Sequence, residues 1–232
     1  MATQEEQEAA VMAAGDDVAF VPVEQEPLHR QRWKNDFARL VCVQIPTHTT
    51  CLWHQHLNFG VSICVQDLDA RERPRGAEPR ALAQSKGAVF CRDHAEDQLI
   101  HVVWTHDTPL FIIEVELLKE KRLLAPHDDL PQHVARGVLS LHDAPECRVY
   151  RIELLTKHTE EVALELPTSA VLVAVDECVV TIFNPAAAAE MLANEVHLQP
   201  GDDVVLVPGL FEIKLVARDH PESVALVLTE VF

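Results

Sequence analysis

From Phe37 onward apolar residues recur at every second position in short runs, and that period belongs to strands rather than helices. The runs Ala38 to Ile45, Gly60 to Gln66, Ala88 to Cys91, Gln98 to Trp104 and Pro109 to Leu118 form a first group. A second group begins near Arg148 and takes in Ala170 to Val175, Cys178 to Phe183, Asp203 to Pro208, Phe211 to Ala217 and Val224 to Phe232. Between them, Lys119 to Pro145 is charged and proline-bearing and reads as a connector, with one helix predicted around Pro131 to Leu139. Asp67 to Ser85 carries Arg71, Arg73, Pro74, Arg75, Gly76 and Pro79, which predict a long solvated loop with a short helix near Ala81. The first 28 residues, rich in acids and small side chains, predict a mobile lead or a strand covering an edge rather than a helix.

The two groups repeat one another. A shift of 109 positions lays the run from Arg39 on the run from Arg148 without a gap, matching the alternating apolar positions, Thr47 with Thr156 and Thr50 with Thr159. Farther on, Asp107 to Leu117 resembles His220 to Glu230 in the same order. Two copies of one antiparallel unit account for this. The expected layout is an acidic lead at 1–28, a first β domain at 29–120, a connector at 121–146 and a second β domain at 147–232. The predicted fold class is all-β.

Composition narrows the function. The 232 residues include 37 acids against 19 Lys plus Arg, a formal charge of −18. Such a chain repels nucleic acid and anionic membranes, so neither is expected as a partner. No stretch is apolar enough for a membrane span. Met1 to Asp17 lacks the basic-then-apolar pattern of a secretory signal, so the expected location is cytoplasmic. The six cysteines, at 42, 51, 64, 91, 147 and 178, contain no CxxC. Free core thiols are expected rather than disulfides or a zinc site.

The candidate chemistry is in Thr49-Thr50-Cys51-Leu52-Trp53-His54-Gln55-His56. Two residues apart on a strand, His54 and His56 point to the same side, so both imidazoles can reach one metal. His101, among Leu99, Ile100, Val102 and Val103, reads as an inward imidazole on a buried strand, where a metal would supply its partner. Against this, 13 histidines produce an HxH pair by accident, and His101 could instead bond a backbone carbonyl. Trp53 and Trp104 read as wall residues, and His94 as an exposed loop residue rather than a substitute ligand.

With those residues in view, the sequence resembles the cupins, specifically their two-domain bicupin members. "TTCLWHQHLNFGVSICVQD" resembles the centre of the first cupin motif, with its HxH, and "GAVFCRDHAEDQLIHVVWTHDTPLFIIEVELL" resembles the second. The resemblance covers Phe37 to Leu118 well and Arg148 to Phe232 in outline. It implies two tandem double-stranded β-helix (jelly-roll) barrels, with His54, His56 and His101 as metal ligands. The motif's glutamate, expected near Gly60 or Val61, is absent. A three-histidine centre keeps the ion's full double charge and favours an anionic substrate. Family members of that kind with Fe(II) include dioxygenases acting on thiols or diketones, so an iron dioxygenase acting on a small anionic, thiol or diketone substrate is the implied function. Zn, Ni, Mn or Cu would compete for such a site.

Arg39, Arg92 and Lys119 are candidate counter-charges, although strand parity places none of them securely inside. Tyr150, the one tyrosine, lies in the second half, so a cysteine–tyrosine cofactor is not expected; Cys51 and Cys64 read as core or rim thiols. A metal-dependent isomerase, lyase or hydrolase is the first alternative, needing a base such as Glu114 or Glu116; alternation with Val115 and Leu117 predicts both outward. The second alternative is a noncatalytic small-molecule-binding or structural bicupin. In the second copy the shift places Ala163 under His54, Glu165 under His56 and Lys214 near His101, so that half is expected to have lost its ligands. A small-molecule substrate and a homodimer complete the expectation.

Overall fold

The computed structural model describes residues 4–15, 17–118, 130–155, 161–185, 194–216 and 222–232. The chain forms two compact units, Met1–Leu118 and Lys119–Phe232. Among the described residues no helix is long and apolar enough to cross a membrane. All six cysteines are free.

The first unit runs α1 (Gln4–Ala13), β1 (Val21–Pro22), β2 (His29–Lys34), β3 (Ala38–Ile45), β4 (His54–Gln55), β5 (Phe59–Cys64), β6 (Leu68–Pro74), β7 (Arg80–Gln84), β8 (Val89–Asp93), α2 (His94–Asp97), β9 (Ile100–Thr105) and β10 (Leu110–Leu117). Its sheets have the orders β2-β3-β10-β5-β8 and β1-β4-β9-β6-β7. Val41, Val43, Ile45, Cys64 and Ile112 of the first pack against Leu68, Ala70 and Val102 to Trp104 of the second.

The second unit runs β11 (Val138–Asp143), β12 (Cys147–Leu155), β13 (Val162–Leu166), β14 (Ala170–Ala174), β15 (Cys178–Phe183), β16 (Asn194–Leu198), β17 (Asp203–Leu206), β18 (Gly209–Leu215) and β19 (Ser223–Val231). Its sheet orders are β11-β12-β19-β14-β17 and β13-β18-β15-β16. Replacing β2 through β10 by β11 through β19 converts the first unit's orders into these, β1 aside. The architecture is an all-β jelly roll made twice, each copy a sandwich of two open sheets.

Three elements differ from the sequence reading. The segment expected to be a solvated loop at 67–85 is the hairpin β6–β7. Leu68, Ala70 and Glu72 are buried and Asp69 and Arg71 exposed, so the charges occupy one face of a strand; Pro74 ends it, and Gly76 turns with φ +75°. The helix expected around Pro131 to Leu139 is absent. Gly137, at φ +78° with Glu153 O where a Cβ would stand, turns the chain directly into β11. In the lead, Val21–Pro22 covers the edge of β4, but Gln4–Ala13 is helical. Its Glu, Gln and Ala are good helix formers, and Val11 reaches the core. Thr156 and Thr159 lie outside the described residues.

Both faces of β10 are covered, because it is central in its sheet. Leu110, Ile112, Glu114 and Glu116 share the face toward the opposite sheet, and Ile113, Val115 and Leu117 the other. Across the sheet, Glu116 stands opposite Arg39 on one side and Gly60 on the other, and Gly60 opposite Arg92. Arg39, 3% exposed, donates from Nε to Glu116 Oε2 at 2.7 Å and also reaches Glu24. Arg39, which strand parity does not place securely inside, faces inward, and so do Glu114 and Glu116, contrary to the outward placement that alternation predicts.

Removing one partner of a buried ion pair strands the other charge. Arg39→Met should lower stability by about 3–5 kcal/mol, seen as a lower urea midpoint at unchanged slope, and adding Glu116→Gln should recover part of the loss. A single variant within about 0.5 kcal/mol of the parent would show that the pair is not holding these strands.

Candidate metal centre

His54 and His101 stand directly opposite one another in the β4–β9 pair. His54 is fully buried, and Nδ1 donates to Leu52 O at 2.8 Å. With the hydrogen there, Nε2 carries a bare lone pair. The Nδ1 of His101 contacts Glu72 Oε2 at 3.3 Å, and its Nε2 is 3.0 Å from His54 Nε2. Two nitrogen donors about 2.1 Å from one ion and at right angles would be about 3 Å apart, so the pair fits two adjacent ligands of a single cation.

His56 closes the set, with ring centroids 5.0 Å from His54 and 5.1 Å from His101. Its Nδ1 is buried without a hydrogen-bond partner, 3.5 Å from Glu114 Oε1 and 3.6 Å from Glu116 Oε1. An orphaned buried donor of this kind calls for an ion or a water. The three rings named from sequence therefore lie side by side, although the three ligand atoms that all come within 4.8 Å of one another are those of His54 and His56 with His29, not with His101.

Two more imidazoles join them. His29, the first residue of β2, lies 4.3 Å from His54 between ring centroids, and Glu26 Oε2 accepts from its Nδ1 at 2.6 Å. His94, expected in an exposed loop, is buried 5.2 Å from the His56 ring with Nδ1 on Asp97 Oδ1 at 3.0 Å. It opens α2, whose cap Asp93 accepts from Ala95 N. Four imidazoles therefore have Nδ1 committed to an oxygen, three of them to carboxylates, the arrangement that orients metal-ligating histidines. The potential ligand atoms of His29, His54 and His56 lie within 4.8 Å of one another, as do those of His56, His94 and Glu114.

Burial and the neighbouring imidazoles hold His54 and His101 well below the ordinary histidine range, so both are neutral at pH 7. Burial pulls His56 down too, but the Glu114 and Glu116 carboxylates outweigh it and move this group up. Burial raises Glu114. Burial also pushes the Cys51 thiol up to about 12 and Cys64 to about 11, so both are core thiols and not thiolate ligands.

A cavity of about 250 Å³ opens beside the cluster. His56, His94, His101 and Glu114 form its polar wall, and Val43, Ile45, Leu82, Phe90, Leu110 and Ile112 much of the rest. Arg80 and Arg92 line it as well. Arg80 is paired with Glu72, the carboxylate behind His101, and Arg92 contacts Asp97, behind His94, at 3.3 Å. Lys119 lies outside the described residues. Trp104 is in the core and Trp53 packs against it.

No protein-family model matches the sequence, and no curated protein is similar to it. Solved structures are. The cupin 2 conserved barrel domain protein from Leptotrichia buccalis aligns over 88% of this chain and 88% of its own, with 10% identity and TM-score 0.51. The chain has the fold of this cupin barrel protein, a jelly roll made twice. Salicylate 1,2-dioxygenase from Pseudoaminobacter salicylatoxidans, in complex with gentisate, aligns over 98% of this chain and 80% of its own, with 11% identity and TM-score 0.59. HEPD from Streptomyces albus, with 2-hydroxyethylphosphonate and Fe(II) bound, aligns over 88% and 70%, with 10% identity and TM-score 0.53.

The second cupin domain has no such cluster among its described residues. The ungapped shift places Ala163 and Glu165 beneath His54 and His56, yet both are exposed, as is Lys214; Val162, Leu164 and Leu166 face inward. The match is in phase over β3 and β12 but slips by one residue beyond them, and such a slip reverses the face of the side chains it covers. The inner pairs are Leu164 with Phe211 and Val162 with Ile213. An apolar interior stands where the first cupin domain has imidazoles.

Long-range 1H–15N spectra of the metal-free protein at pH 7 should show His54 and His101 as neutral Nδ1–H tautomers. A doubly protonated ring at either position would remove the paired lone pairs.

Proposed function

We propose that the first cupin domain binds Fe(II) through His54, His56 and His101 and that the protein is a dioxygenase acting on a small anionic substrate, with thiols, diketones and aromatic acids the classes to try. The observation that carries the reading is the pair of Nε2 atoms of His54 and His101, 3.0 Å apart in a buried site, with Leu52 O and Glu72 at the opposite ring nitrogens. Similarity in fold to salicylate 1,2-dioxygenase and to HEPD supports it. Fe(II), when bound, would supply activation of dioxygen.

The chain's own residues do the rest. Leu52 O and Glu72 keep hydrogen on Nδ1, so that Nε2 is free toward the ion. Arg80 and Arg92, paired with Glu72 and Asp97, line the cavity where the substrate's charged end would sit. Val43, Ile45, Phe90 and Ile112 pack its apolar part and exclude water. Glu114 faces inward 3.5 Å from His56, where its carboxyl group can exchange a proton with the substrate. That placement also favours a second reading, a metal-dependent isomerase, lyase or hydrolase with Glu114 as general base. A cytoplasmic location and a homodimer belong to the proposal, and the free, mostly buried thiols accord with a reducing compartment.

Protein loaded anaerobically should retain iron near one per chain and consume dioxygen when a suitable substrate is added. His56→Ala should strip the ion from a folded protein, and Glu72→Gln should weaken binding about 10–100-fold, both read by equilibrium dialysis. Turnover of substrate without oxygen uptake would favour the second reading. Full metal retention in His56→Ala would end both.

A further inference from the structure

A second set of donors converges on the cavity from elements other than those that carry His54 and His101. His56 follows β4, His94 opens α2 and Glu114 is on β10; all three are buried, and their ligand atoms lie within 4.8 Å of one another. All three line the cavity, whereas fully buried His54 is not part of its wall.

Each donor is prepared independently. Asp97 holds His94 Nδ1 at 3.0 Å, which leaves Nε2 bare. His56 Nδ1 has no hydrogen-bond partner, although it is buried 3.5 Å from Glu114 Oε1. The Glu114 carboxylate sits over Gly60, where a Cβ would come within 2.7 Å of Oε1. A side chain at residue 60 would take the carboxylate's seat. Arg39 is in ion-pair contact with Glu116, and among the described residues no arginine or lysine makes such contact with Glu114. The carboxylate is therefore buried beside two imidazoles with no arginine or lysine against it, and its charge is balanced either by a proton on His56 or by a cation held between the three groups.

We propose that His56, His94 and Glu114 form a second cation position, open to the cavity and sharing His56 with the position on His54 and His101. It deepens the metal reading given under Proposed function and rests on it for the cavity being the place of reaction. Two imidazoles and one carboxylate are the donor set of many non-haem Fe(II) sites, and the carboxylate lowers the net charge of a divalent ion there to plus one. The all-nitrogen position leaves the charge at plus two. Because His56 is common to both, one ion per chain is held at a time. Manganese(II), which favours oxygen donors, selects the carboxylate-bearing position, and zinc(II) the imidazoles.

Equilibrium dialysis of the full-length, metal-free protein against Mn(II) alone and Zn(II) alone tests this. Glu114→Gln and His94→Ala should each weaken Mn(II) binding about tenfold or more, while His54→Ala changes it by less than about threefold and weakens Zn(II) instead. Gly60→Ala guards against misfolding, because it displaces only the flexible end of Glu114 and keeps every donor. It should also weaken Mn(II), with an unchanged melting temperature. Mn(II) binding at parental strength in Glu114→Gln and His94→Ala would overturn the second position and leave the histidine centre standing. Equal loss of Mn(II) in His54→Ala and Glu114→Gln would overturn it too, by showing one merged ligand set. A parent protein that binds neither ion would end this position and the histidine centre together.

Discussion

The site depends on where the hydrogens of buried imidazoles are placed. Five histidines crowd one end of the first cupin domain, and charging them together in a dry interior would be prohibitive. The protein settles the matter from behind. Leu52 O, Glu26, Glu72 and Asp97 each take the Nδ1 side of a ring. What remains is lone-pair density facing lone-pair density, with His54 and His101 meeting at 3.0 Å. A proton on one of the two nitrogens or a cation between them turns this repulsion into attraction, and the proposed metal centre takes the second course.

The scaffold supplies this geometry through strand register. Pairing of His54 with His101 follows from the β4–β9 alignment, and Glu72 reaches His101 from the neighbouring β6. In the opposite sheet, Arg39, Glu116, Gly60 and Arg92 form a row across β3, β10, β5 and β8. The second cupin domain repeats the strand order but fills the equivalent interior with Leu164, Phe211 and Ile213. The same fold is therefore stable with an apolar interior, and the imidazole cluster of the first domain is an addition to the scaffold, not a requirement of it.

Much of this was legible in the sequence, and the remainder was hidden for identifiable reasons. Period-two runs gave the strands, the displaced repeat gave the duplication, and the HxH spacing put His54 and His56 on one side. Glu114 and Glu116 were misread because alternation locates an inside face only when the other face is wet, and β10 is covered on both. His29 stands at the edge of the acidic lead, and its place in His29-Arg30-Gln31-Arg32-Trp33 at the start of a strand is the sequence signal that points to it. His94 was placed in solvent because its neighbours are charged, yet Asp93 and Asp97 are the residues that cap its turn and hold its ring. The hairpin β6–β7 was lost to its prolines and arginines, which occupy a strand end and the outer face.

Electrostatics at the cavity follow from the same economy of partners. Arg80 and Arg92 are not bare cations awaiting an anion, since Glu72 and Asp97 already engage them. An anion entering the cavity would compete with the groups that fix His101 and His94, in a chain whose formal charge is −18. Long-range attraction is therefore weak, and charge alone discriminates poorly among small anions. Discrimination falls to shape: about 250 Å³ walled by Val43, Ile45, Phe90, Leu110 and Ile112 admits a compact, partly apolar molecule and leaves a purely polar one unable to replace its lost hydration.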